Sequence, residues 1–150
     1  MADSVLTSNH AVETAAVEFV IGYELRRGRL AVDRRYRPGY PADIESDGRL
    51  IEVKASGTSF RSWFLPLEES QRAAALSNDA FFIYVVENVR QGDPARFTLR
   101  ILDSAHLRRL LKKAKLRSYY EMPWPTADYD ATPAEPRMAN DVSSAPTIAE

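Results

Sequence analysis

The 150-residue chain has no cysteine and only two histidines. The first absence excludes disulfides and thiolate metal sites. His10 and His106 are too few and too separate for a histidine-based zinc site. No apolar run is long enough to span a bilayer, and no signal-peptide hydrophobic stretch is found, so a cytoplasmic protein with no membrane partner is expected. GxSxG, Walker A and GxGxxG patterns are all missing, which leaves hydrolase-elbow, NTPase and dinucleotide readings unsupported. Internal repeats are lacking too. Strong charge of either sign is also missing: the formal net charge is −1 at pH 7.

That small number hides an asymmetry. Residues 126–150 hold Asp128, Asp130, Glu135, Asp141 and Glu150 against Arg137 alone, about −4, which leaves about +3 on the first 125 residues. Such weak basicity falls short of the field of a dedicated nucleic-acid binder. Hydrophobic and charged fractions are ordinary for a globular protein, and the length allows one domain with a real core. The expected division is a flexible leader at 1–8, a domain at 9–125 and a disordered acidic tail at 126–150 that is rich in Pro, Ala, Ser and Asp.

Thr7, Ser8 or Asn9 can cap a helix running to about Arg27, with Val12, Ala16, Phe19, Val20 and Tyr23 along one stripe. Apolar residues round its back predict burial against more than one layer. Glu13, Glu18 and Glu24 are exceptions, each read first as a solvated or salt-bridged glutamate. Six arginines follow between Arg26 and Arg37, around a short extended piece at Leu30-Ala31-Val32. Arg34, Arg35 and Arg37, interleaved with Tyr36 and Tyr40, could track a phosphate backbone and stack on bases; an exposed, solvated loop is the other reading.

Asp47-Gly48 is a strong two-residue hairpin signal. A two-residue turn pairs Ser46 with Arg49, Glu45 with Leu50, Ile44 with Ile51 and Asp43 with Glu52. Alternation then puts Ile44, Ile51 and Val53 on one face and Asp43, Glu52 and Lys54 on the other. Two carboxylates directly opposite, roughly 5 Å apart, repel. Water or a cation must relieve them. Two carboxylates beside a lysine fit an Mg²⁺ site with a charged helper, and an exposed salt-bridged face is the alternative.

Beyond the hairpin, Phe60–Leu65 reads as a third strand. Pro66 then starts a second helix, with Glu68 and Glu69 in its first turn, and the helix stops near Asn78. The run from Ala80 to Val86 predicts a central strand buried on both faces and parallel to a neighbour. A strand at Phe97–Leu102 and a helix capped by Ser104 follow. That helix carries an outer face of Arg108, Arg109, Lys112, Lys113 and Lys115, which is either solvated or a DNA contact. Leu116–Tyr120 reads as an edge strand.

Helix, three strands, helix and strand, with Pro41-Ala42-Asp43, eight residues, then Glu52-Val53-Lys54, resembles the PD-(D/E)xK nuclease superfamily. Within it, the chain is most similar to the NO VEIN C-terminal domain family, found in restriction and anti-phage proteins. Val17-Glu18-Phe19-Val20, Asp43-Ile44, Leu50–Lys54, Leu65–Glu69 and Phe82–Val86 carry that likeness, over roughly residues 11–102. The proline stands two residues before the aspartate rather than one.

The resemblance implies an α/β, restriction-endonuclease-like αβββαβ core, a central mixed sheet flanked by helices, plus a C-terminal helix. It implies a metal-dependent endonuclease in which Asp43 and Glu52, with the Val53 carbonyl, hold Mg²⁺ or Mn²⁺. Lys54 would position water or stabilise phosphate charge, and Glu18 would be the helix carboxylate that assists. Helical spacing alone does not choose Glu18 over Glu13 or Glu24. Glu69 is read as a helix-dipole residue. Arg34, Arg35, Arg37, Tyr40 and Arg61 are the expected DNA contacts. Expected partners are DNA, a helicase, methyltransferase or other defence subunit, and a second copy in a homodimer. The alternative is a non-catalytic module of the same fold that binds DNA or a partner protein; a third is an adaptor recruiting through the acidic tail.

Overall fold

In the computed structural model, residues 5–136 are described. They divide into two compact units, one up to Lys115 and one from Leu116. The first is built around a five-stranded mixed sheet of order β1-β2-β3-β4-β5.

Helix α1 (Asn9–Arg26) starts where the Ser8 hydroxyl accepts the Ala11 N–H at 3.0 Å, one of the end donors that a helix cannot satisfy itself. Its buried residues, Val12, Ala16, Val17, Val20 and Glu24, recur at helical spacing. Ala15, Phe19, Ile21 and Tyr23 pack partly buried against the same core, so the contact extends round the helix as expected except at Leu25, which lies half exposed. β1 (Ala31–Asp33) pairs antiparallel with β2 (Ile44–Ser46), which pairs antiparallel with β3 (Arg49–Ala55). Asp47 and Gly48 have φ of 46° and 84°, the left-handed pair that a two-residue turn matched to strand twist requires. The register Ile44–Ile51, Glu45–Leu50, Ser46–Arg49 is the one the turn predicts.

β4 (Phe81–Glu87) runs parallel to β3 and antiparallel to β5 (Thr98–Leu102). It is the buried centre that its apolar run predicts. The β3–β4 crossover contains α2 (Glu69–Ser77), and α3 (Ser104–Leu111) follows β5. Ile44, Ile51, Val53, Tyr84 and Val86 pack against α1 on one face of the sheet. Phe81, Ile83 and Val85 pack with Ala75 of α2 and Leu107 of α3 on the other. The result is a three-layer α/β core of restriction-endonuclease-like type.

Two expected strands do not form. Residues 60–65 are turn and coil, and Ser62 has φ of 65°. Both edges of β3 are already taken by β2 and β4, and the Glu87 carboxylate captures the Phe60 N–H at 2.7 Å and the Ser59 hydroxyl at 2.9 Å. The third strand of the core is β1 instead. Residues 116–120 form no strand either, and Leu116, Tyr119 and Tyr120 are exposed. Smaller corrections concern caps. Asp103, not Ser104, caps α3 by accepting the His106 N–H at 2.8 Å. Glu68 caps α2, two residues beyond Pro66.

In the second unit, α4 (Thr126–Ala131) is six residues long, and Trp124 stacks edge-on against Tyr129 with ring centroids 5.1 Å apart. The leader and acidic-tail expectations fall partly on residues 1–4 and 137–150, outside the described residues. Among the described residues, no helix is long and apolar enough to cross a membrane.

Candidate active site

β2 begins at Ile44, one residue after Asp43, so Asp43 stays outside the ladder with β3, and that shortfall makes the site. The Asp43 N–H still donates to the Ile51 carbonyl at 3.0 Å, while the Asp43 carbonyl accepts the Arg34 N–H at 2.7 Å. Further along β3, the Val53 N–H meets no main-chain acceptor from β2. The Asp43 side chain takes that place, with Oδ2 accepting it at 2.9 Å. Main-chain groups of one residue point to the same strand edge, so the Val53 carbonyl lies on the Asp43 side too.

Glu52 follows on the sheet face opposite Ile51 and Val53 and is only 5% exposed. Its Oε1 lies 3.3 Å from Lys54 Nζ and accepts a 2.9 Å hydrogen bond from Gln71 Nε2. Gln71 is held from its other end, because its Oε1 accepts the Glu68 N–H at 3.0 Å in a capping box. The first turn of α2 is thereby tied to the acid on β3.

Burial holds both carboxylates above their usual range. Burial, then the Asp43 charge, pushes Glu52 up to about 7, against the pull of Lys54. Asp43 is also raised, first by burial and further by Glu13; the Val53 N–H, Lys54 and Arg35 oppose the shift. A bound cation would offset both shifts by favouring the charged carboxylates.

Two carboxylates and a carbonyl are hard oxygen donors. They suit Mg²⁺, which binds through one or two carboxylates while keeping several waters. Among the described residues, no three His, Cys, Asp or Glu side chains gather as a fuller protein cage. The donors present therefore fit an ion completed by water and phosphate oxygens.

Asp43, Glu52 and Lys54 thus lie near one another, but the Asp43–Glu52 cross-strand pair that the turn predicts does not form: the Asp43 carboxylate turns to the Val53 N–H instead. Glu18 lies elsewhere: it is exposed, beside Phe19, Gly22, Pro94 and Phe97. The α1 carboxylate whose charge reaches Asp43 is Glu13, 3.8 Å from Arg35. Glu24 is salt-bridged, as expected, but wholly buried. It accepts hydrogen bonds from Arg29, Tyr84 and Ser46, the last at 2.9 Å. Burial alone would raise its pKa, yet those bonds and the Arg49 charge hold it at about 2.

Several of the expected DNA contacts have internal partners. Arg35 binds Asp33 at 2.9 Å and Thr14 at 3.4 Å, and its side chain is only 10% exposed. Arg34 pairs with Glu45 at 3.1 Å. Arg37 lies over the Tyr40 ring at 5.6 Å, and Tyr40 packs against the α2-side core. Arg61 is exposed. Gln71 has no signal in the sequence, since no spacing rule links it to Glu52, 19 residues earlier.

The fold is that of a PD-(D/E)xK-type, nuclease-like domain. Residues 12–99 match the family described as Protein NO VEIN, C-terminal, and the chain belongs to that family. No curated protein and no solved structure matches the chain.

Proposed function

We propose that this domain is a metal-dependent endonuclease that hydrolyses DNA phosphodiester bonds in restriction or anti-phage defence. The observation that carries the reading is the grouping of Asp43, Glu52 and Lys54: the Asp43 carboxylate takes the Val53 N–H next to Glu52, and Lys54 lies 3.3 Å from Glu52. Asp43, Glu52 and the Val53 carbonyl would hold Mg²⁺ or Mn²⁺. When bound, such an ion polarises a phosphate oxygen and lowers the pKa of an attacking water. Lys54 supplies positive charge where negative charge grows on the phosphate. Gln71 fixes the Glu52 carboxylate, as outer-sphere partners of metal ligands do. The helix carboxylate placed to assist is Glu13, whose charge reaches Asp43, rather than Glu18, which the family likeness suggests.

One observation favours a second reading, a module of the same fold that acts with a partner subunit. Arg34 and Arg35 are bound to Glu45 and Asp33, so the arginine-rich segment offers less free charge than its composition implies. A helicase or methyltransferase subunit, or a second copy, would then supply DNA affinity.

Calorimetric titration with Mn²⁺ at pH 8 separates the two. A nuclease site binds the ion in the wild type and loses it in Asp43→Ala and Glu52→Ala. Equal heats in all three proteins, or none, would count against the metal site.

A further inference from the structure

The turn between β3 and α2 exposes two large aromatics that the core does not use. Phe64 is 87% and Trp63 53% exposed, with Arg61 beside them. This turn is built rather than loose. Phe60 packs into the α2-side core on one flank, and Leu65 and Leu67 do so on the other. Glu87, itself held by Arg100 at 2.7 Å, accepts the Phe60 N–H. The Arg61 N–H donates to Ser59 Oγ at 3.0 Å, and the Trp63 N–H donates to the Phe60 carbonyl at 2.9 Å.

Ser62, at the apex, has φ of 65°, a left-handed conformation that costs a non-glycine residue stability. Fold stability gains nothing from holding Trp63 and Phe64 in water this way. The turn also leads into the helix whose first turn is tied to Glu52. Glu68, which begins the helix carrying Gln71, is four residues past Phe64, at most roughly 14 Å of extended chain.

We infer that Arg61, Trp63 and Phe64 form a stacking platform for unpaired bases of a DNA strand whose phosphates lie at the carboxylate face. Aromatic faces stack on any base, and a neighbouring arginine meets the backbone charge; this pairing is how proteins hold single strands without reading sequence. Duplex DNA keeps its bases stacked on one another and offers these rings only its ends. The inference rests on the nuclease reading and adds a substrate preference to it: single-stranded or frayed DNA over intact duplex.

The test is fluorescence of Trp63 in a Trp124→Phe background, titrated with oligothymidylate of about 15 nucleotides and with a duplex of equal length. Ca²⁺ is present throughout, so that binding is read apart from cleavage. The expected result is quenching by the single strand with at least about tenfold tighter binding than duplex, and a loss of about tenfold or more in affinity, read by anisotropy of labelled strand, in Trp63→Ala/Phe64→Ala. Both residues are exposed, so the variant should keep its fold, which circular dichroism checks. Unchanged strand affinity in the double variant overturns the inference even if the protein cuts DNA. The same holds if the substitutions alter self-association or partner-protein binding instead. Strand binding lost in the variant, in a wild type that cuts nothing with Mg²⁺, would uphold the platform and overturn the nuclease reading.

Discussion

Gln71 Nε2 donates a 2.9 Å hydrogen bond to Glu52 Oε1, while its own carbonyl oxygen closes the capping box of α2. One side chain therefore serves both the helix end and the proposed metal ligand. Gln71→Ala should destabilise the domain by about 1–2 kcal/mol, through the lost cap bond and the less satisfied Glu52. It should also weaken Mn²⁺ binding by about 10–100-fold. Calorimetry beside chemical denaturation checks both. A loss of stability with unchanged metal affinity would confine Gln71 to a structural role.

Glu52 carries a pH signature. Its folded pKa, pushed up to about 7, lies above the ordinary 4.5, so between those values the folded state binds more protons than the unfolded. This group's contribution to stability therefore falls as pH rises through that window. Glu52→Gln keeps an acceptor for Gln71 and removes the charge. It should leave stability at pH 4.5 nearly unchanged and raise it by up to about 3 kcal/mol at pH 8. Mg²⁺ should stabilise the wild type at pH 8 and leave Glu52→Gln almost unaffected. Melting curves at both pH values, with and without Mg²⁺, read the difference.

Glu24 gives the opposite sign. Its folded pKa of about 2 lies below 4.5, so its contribution is full above pH 4.5 and fades as pH falls toward 2. Glu24→Gln leaves the Arg29 guanidinium without its ionic partner and should cost about 3 kcal/mol near neutral pH. Urea denaturation at pH 7 and pH 3 should show that penalty shrinking with acid. A constant penalty would mean that lost packing, not charge, is responsible.

The hairpin was legible because Asp47-Gly48 fixes both turn type and register, and period-two alternation then assigns faces. β4 was legible because an unbroken apolar run needs cover on both sides. Phe60–Leu65 misled for the opposite reason: an alternating aromatic run fits a strand, but only the filled edges of β3 and the Glu87 carboxylate show where it must go instead. The glutamates of α1 look alike in sequence. Ser46 and Tyr84, distant in the chain, turn Glu24 into a buried anchor, and Arg35 brings Glu13 toward Asp43. Such tertiary pairings have no local signal.

The most direct measurement is cleavage of plasmid and linear DNA with Mg²⁺ or Mn²⁺, wild type beside Asp43→Ala and Lys54→Ala. Metal-dependent cutting should fall by at least about 10²-fold in both variants. Equal cutting by all three proteins, or none by the wild type with DNA still bound, would rule out the nuclease assignment.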